Sequence, residues 1–388
     1  MKRKASLLTS MLLSGSLLLA ACQGQQAAKQ EEPANKPVEI AKTGSLTINP
    51  EIEDKEIMGK GPFGEKAVSA KTLELTEEDI AKIKEGNYTA ALVMHYSGTD
   101  YMTAQTDALK ASFERMGIEV IAVTDAQFKA EKQVSDIETV TAKKPDIIVS
   151  VPVDPVSTAA AYKKAADAGI KLVFMDGTAQ GLEPGKDFVS IVSGDNYGNG
   201  VEAAEVMAKE LDGKGKIGVI FHDADFFVTK QRQTAFEETI KEKYPDIEIV
   251  AHGGITGPND GEKVASAMLT QHNDLDGIFA IWDVPGEGVV SAARTAGRDD
   301  LVITTTDLGT NVGLEMASGG TVKGLGAQLP YDQGIAEAIL GGYALLGKKA
   351  PSYVTTPAVQ VTEDNLEESW KLVYRQDVPE LIQSAVQQ

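Results

Sequence analysis

From residue 88 onward the chain alternates short, continuous apolar runs with longer segments whose apolar residues recur every three or four positions. The runs at 88–95, 119–124, 146–152, 171–176, 216–222, 247–252, 276–282 and 301–306 are too short for ordinary helices and lack alternation. They predict strands buried on both faces of a parallel sheet. Between them, 101–116, 133–142, 157–168, 199–211, 231–243, 261–271 and 288–295 predict amphipathic helices. Met102, Leu109, Phe113 and Met116 share one helical face, and so do Val201, Ala204, Ala208 and Leu211. Gly117 and Gly169 stand just past two of these segments, where a left-handed residue ends a helix. Strand–helix alternation implies an α/β fold with helices on both faces of the sheet. The series pauses near 190–195 and restarts, so two doubly wound parallel-sheet lobes are expected.

The densest stretch is 275–307, where two buried runs end at Trp282-Asp283 and at Asp307. In open parallel sheets ligands collect beyond the carboxyl ends of the strands. The other exits carry Asp100 and Tyr101, Asp154, Asp176, and a second-lobe group with His222, Asp223, Phe226 and Phe227. Each Asp alone is equally well explained as a cap for the helix that follows. As a set, with aromatic residues interleaved, they point to a binding cleft. Carboxylates accept hydrogen bonds from hydroxyls, and aromatic faces stack on the C–H side of a sugar ring.

Length supports two domains, since the chain has 388 residues. A net charge of −20 argues against nucleic acid as a partner, because phosphate binding needs clustered cations. Glycine spacing matches neither a dinucleotide nor a P-loop fingerprint, and no serine sits in a nucleophile elbow, so neither an enzyme nor a cofactor is expected. His222 with Asp223 and Asp225 lacks further histidines nearby, so no metal site is expected either.

The N-terminus reads Lys2-Arg3-Lys4, an apolar segment, then Ala20-Ala21-Cys22. It resembles a bacterial lipoprotein signal over 1–21, with cleavage before Cys22, the only cysteine, and lipid on its sulfur; the alternative is an ordinary secretory signal. Acyl chains on Cys22 would hold the domain on the outer face of the cell membrane. Residues 22–85 form the anchored linker and N-terminal extension. Its first part is a polar leash to about residue 37, and Thr76 is the expected N-cap of one short helix.

From about residue 87 to 361 the chain resembles the ribose-binding-type periplasmic substrate-binding proteins of sugar importers. The resemblance is carried by Asp307 after its strand, the run 326–333 containing Gln328, Asp176 after the fourth strand, Arg232 ahead of Phe236, and the 279–283 exit. It implies a periplasmic binding protein type I fold, with a three-segment hinge crossing near Ser193-Gly194, Gln328 and Thr356-Pro357. The lobes would be 86–193 plus 329–356 and 194–328 plus 357–388. It further implies that Asp176 and Asp307 accept ligand hydroxyls, Arg232 donates to oxygens, Gln328 binds from the hinge and Tyr101 stacks. Gly177 stands where ribose binders carry Arg, Trp282 where they carry Asn, and Met102 replaces a second stacking aromatic. A different pentose, hexose, deoxy-sugar or polyol is therefore expected, delivered to an ABC permease. The alternative is a ligand-sensing receptor of the same fold that feeds a histidine kinase or chemoreceptor.

Overall fold

A computed structural model describes residues 40–387, so the leader, Cys22 and the polar leash lie outside the described residues. The first sheet collects β1 (Val68–Ser69), β2 (Thr89–Met94), β3 (Glu119–Asp125), β4 (Ile147–Ser150), β5 (Lys171–Met175) and β6 (Ser190–Gly194). The second collects β7 (Gly215–His222), β8 (Ile247–Ile255), β9 (Gly277–Ala280), β10 (Val302–Thr306) and β11 (Val322–Ala327). The chain then returns to give each sheet one more strand, β12 (Tyr353–Thr356) and β13 (Val359–Thr362). The orders are β1-β12-β6-β5-β4-β2-β3 and β13-β11-β10-β9-β7-β8. Only β13 on β11 is antiparallel; the other strand pairs run parallel.

Twelve helices flank these sheets among the described residues. The early ones are α1 (Glu77–Lys84), α2 (Asp100–Arg115), α3 (Ala130–Ala142) and α4 (Ala159–Asp167). The middle ones are α5 (Asn196–Glu210), α6 (Phe227–Lys243), α7 (Gly261–Gln271), α8 (Asp283–Ala296) and α9 (Thr310–Ala317). The last are α10 (Pro330–Leu345), α11 (Leu366–Tyr374) and α12 (Glu380–Val386). Strands β4, β9 and β10 are buried along their whole length, which is why they read as unbroken apolar or threonine runs. In the second lobe Phe236 of α6 stacks on Phe279 of β9, with ring centres 4.1 Å apart.

Helices α6 and α8 begin well before their apolar period suggests. The first turn of α8 holds Pro285 and Gly286, weak helix formers that are tolerated only near an N-terminus. The first turn of α6 is Phe227, Val228 and Thr229, residues that favour strands when judged singly. The earlier start sets Arg232 in the second turn of α6, with its side chain buried beneath the helix.

The lobes connect three times, after β6, after β11 and between β12 and β13. At the first crossing a Cβ on Gly194 would stand 2.6 Å from Gln328 Oε1, so the two crossings can touch only because that residue is glycine. The N-terminal extension is built into this region. Thr76 forms a capping box with Asp79 at the start of α1, and β1 joins the first sheet beside β12. Asn49 donates its N–H to Asp332 Oδ1 of α10 at 2.7 Å. Met58 and Gly59 donate theirs to Asp195, the N-cap of α5, at 2.7 and 2.9 Å. Gln231 of α6 donates to the Lys60 carbonyl at 2.8 Å. The extension is thus bonded to both lobes on the hinge side.

Candidate functional site: the cleft between the lobes

Two aspartates from opposite sheets occupy matching places. Asp176 leaves β5 and Asp307 leaves β10, each with a positive φ, 58° and 66°. In each case the N–H still bonds to the neighbouring strand, Asp176 to the Val192 carbonyl and Asp307 to that of Gly326. The chain then turns sharply, and Asp tolerates the left-handed region because its short side chain finds local partners. Such backbone outliers cluster at ligand sites.

Around Asp307 the polar groups interlock. Arg232 Nη1 donates to Asp307 Oδ2 at 2.9 Å and to Thr306 Oγ1 at 2.8 Å, while its Nε donates to Asn196 Oδ1 at 2.7 Å. Gln328 Nε2 donates to Asp307 Oδ1 at 2.9 Å. Arg232 is 4% and Asp307 9% exposed, so their ion pair carries little solvent screening. On the first lobe, Ser193 Oγ donates to Asp176 Oδ1 at 2.7 Å, and the Tyr101 hydroxyl lies 3.1 Å from Asp176 Oδ2 and 3.1 Å from Gln333 Oε1. Tyr101 has one proton to give, so these are alternatives. Burial raises the Asp176 carboxyl above its usual range, with Ser193, Arg232 and Tyr101 pulling it back. Burial also keeps the Tyr101 hydroxyl protonated. Behind them, both carboxyl oxygens of Glu337 on α10 are buried without a hydrogen-bond partner among the described residues. Burial, then the charge of Asp176, pushes that acid well above the usual carboxylate range.

The mouth is aromatic. His222 meets Trp282 edge-on at 5.3 Å and Phe226 at 5.9 Å. From the first lobe, His95 stacks on Phe226 at 6.0 Å and meets Phe128 edge-on at 5.0 Å, and Tyr96 stacks on Phe128. Loss of solvent lowers the His95 imidazole to about 4, so the ring is neutral, and its buried Nδ1 has no partner among the described residues. Burial also lowers His222, whose Nδ1 lies 3.2 Å from Thr229 Oγ1. The lobes touch again where Asp100, the first residue of α2, accepts from the N–H of Thr310 at 2.7 Å and from its hydroxyl at 2.8 Å. Asp100 therefore caps α9 of the opposite lobe, and the described conformation is closed.

Tyr101, Asp176, His222, Arg232, Trp282, Asp307 and Gln328 line one cavity between the lobes. Four predicted residues have other places. Asp100 is spent on the interlobe cap. Asp154 accepts from the N–H groups of Val156 and Ser157, at 3.1 and 2.6 Å, and is the cap of its own turn. Asp223 is exposed, and Phe227 faces a neighbouring chamber while Phe226 faces the cleft. Asp283 is buried beside Asp307, which with burial raises its carboxyl well above the usual range, and its Oδ1 accepts from the next N–H, Val284, at 2.9 Å.

The pattern missed His95, Tyr96 and Phe128 as lining residues, and Asn196 and Thr306 as partners of Arg232. Gln127 and Phe128 both have positive φ, a local turn with no glycine to announce it. A wider groove lies on the first lobe, where Asp187 pairs with Lys163, Lys186 with Glu183, and Lys348 with Asp79. Among the described residues no cluster of His, Cys, Asp and Glu is arranged to hold a metal ion, and no helix is long and apolar enough to cross a membrane.

Comparison with known proteins agrees with this architecture. Residues 90–349 match the family model for the periplasmic binding protein domain. The ribose import binding protein of Salmonella typhimurium is 24% identical over 282 residues, 73% of this chain and 92% of the relative. Among solved structures, a solute-binding protein of an ABC transporter from Agrobacterium vitis, bound with α-D-tagatopyranose, superposes with a TM-score of 0.68 at 24% identity, covering 74% of this chain and 99% of that one. An arabinose-binding protein from Geobacillus stearothermophilus gives a TM-score of 0.64 at 25% identity, covering 73% and 99%.

Proposed function

The chain belongs to the periplasmic binding protein family, whose members bind solutes rather than catalyse reactions, and on that premise we propose that it captures an uncharged carbohydrate or polyol between its lobes and hands it to an ABC permease. One observation carries the proposal. Asp176 and Asp307 leave equivalent strands of opposite lobes in the same rare backbone conformation and converge on one cavity with Arg232 and Gln328. Vicinal hydroxyls are what two buried carboxylates, a guanidinium and an amide together satisfy. The aromatic mouth supplies faces for the C–H side of a ring. The Salmonella relative is a ribose import binding protein and the Geobacillus neighbour an arabinose-binding protein, which supports the ligand class without fixing its member. Trp282 and Gly177, in place of planar donors, favour a ligand other than ribose.

Ligand contacts available only when the lobes are together shift the population toward closure by the difference in affinity. The cap that Asp100 places on α9 exists only in that closed state. Lipid at Cys22 would hold the protein on the outer membrane face, where a permease can be met. A thermal-shift panel of pentoses, hexoses, deoxy-sugars and polyols tests the ligand class, since saturation at about 100 times Kd adds ~2.7 kcal/mol. Small-angle scattering with the best hit tests closure. No shift with any member, or no compaction, refutes the capture mechanism. Loss of uptake in a deletion strain separates transport from sensing.

A further inference from the structure

A second chamber, with about 530 Å³ of empty space, opens beside the cleft. Asp176 and Phe226 line both spaces and form the threshold between them. The rest of its wall is Pro152, Pro155, Gly177 and Thr178 from the first lobe, Asp225 and Phe227 from the second, and Pro62 from the N-terminal extension. Three features distinguish it from an incidental gap. A Cβ on Gly177 would meet nothing within 4 Å, so the absent side chain leaves room. Thr178 Oγ1 is buried in the wall with no hydrogen-bond partner among the described residues, and such groups cost free energy unless something satisfies them. Pro62 follows a segment held on the second lobe, where Met58 and Gly59 donate to Asp195 and the Lys60 carbonyl accepts from Gln231.

We infer that this chamber is a second subsite, and that the ligand is an uncharged glycoside whose first ring lies on the Arg232–Asp307 floor while its aglycone or second ring crosses the Asp176–Phe226 threshold. The inference rests on the carbohydrate reading of the cleft and narrows it. Prolines and phenylalanines offer flat apolar faces to a second ring, and Thr178 offers one hydroxyl. Asp176 and Asp225 disfavour a phosphorylated or carboxylated substituent by like-charge repulsion.

Calorimetry on the chain lacking its leader and leash tests this with free monosaccharides, their methyl and phenyl glycosides, and disaccharides of the same first ring. At least one substituted ligand should bind on the order of tenfold or more tighter than its parent sugar, the scale at which apolar pockets discriminate added groups. A preference confined to phenyl glycosides identifies an apolar aglycone, and one confined to disaccharides identifies a second sugar ring. In Gly177→Leu, which fills the chamber, the ratio of substituted to parent affinity should fall to about one; Thr178→Val should reduce it less. Using a ratio keeps a general loss of folding from imitating the result. Parent sugars binding as tightly as every glycoside, or an unchanged ratio in Gly177→Leu, overturns the subsite and leaves the carbohydrate cleft standing. Failure of every carbohydrate to bind overturns both.

Discussion

The floor and the mouth of the cleft are built on opposite principles. On the floor Arg232, Asp307, Gln328, Asp176, Ser193 and Tyr101 hold one another through directed bonds of 2.7–3.1 Å, and each sits where a strand, a helix or a hinge crossing fixes its backbone. At the mouth His95, Phe128, Phe226, His222 and Trp282 meet by ring contacts at 5.0–6.0 Å with few hydrogen bonds. A preorganised floor reads stereochemistry, because a misplaced hydroxyl leaves a buried charge unsatisfied. A loosely coupled aromatic mouth contributes area and excludes water, and discriminates less.

The sharpest way to break this contrast is Arg232→Met. It leaves Asp307 buried without its cation, and losing one member of such a pair costs ~3–5 kcal/mol of stability, measurable by urea unfolding, with ligand binding lost in calorimetry. Retained affinity would mean that the floor does not hold the ligand. Next in size, Trp282→Ala should weaken binding by about 0.5–1.5 kcal/mol beyond its lost area, with a smaller loss of stability than Arg232→Met. A loss as large as that of Arg232→Met would erase the distinction between floor and mouth.

A subtler test lies behind the floor. The folded-state pKa of Glu337 is raised by burial, so the native protein keeps a proton that the unfolded chain releases. Stability contributed by this group is therefore present below its unfolded value and falls as pH rises toward the folded one. Glu337→Gln should match the parent near pH 4 and become progressively more stable than it toward pH 8, followed by thermal melts. A constant difference across that range would mean that Glu337 is ionised in the fold. The smallest effect on binding is expected from Asp154→Ala, which removes a turn cap worth ~1 kcal/mol of stability and leaves affinity unchanged. Weakened binding there would extend the cleft to a loop that the structure leaves outside.

Much of the molecule was legible in advance for a simple reason. Burial on both faces of a parallel sheet demands continuous apolar runs, and helices above it demand a stripe, so β4, β9 and α2 announce themselves along the chain. Strand exits were legible too, and Asp176 and Asp307 came from them. Which exit residues turn inward was not. Phe226 and Phe227 are neighbours of the same type, yet Phe226 lines both the cleft and the adjoining chamber and Phe227 only the chamber. Phe128 was missed because its turn is made without glycine or proline.

The sequence by itself therefore determined the two α/β lobes and the acids at their strand ends, because periodicity and local capping depend on neighbours within a few residues. Tertiary structure decided what those acids do. Asp154 and Asp100 stand in similar helix-start positions, yet one caps its own turn and the other caps a helix 210 residues away in the opposite lobe. Arg232 finds Asp307 across 75 residues, and Gln328 reaches it beside Gly194, a glycine on another crossing. Contacts of that range depend on how the lobes close, and no local pattern carries that information.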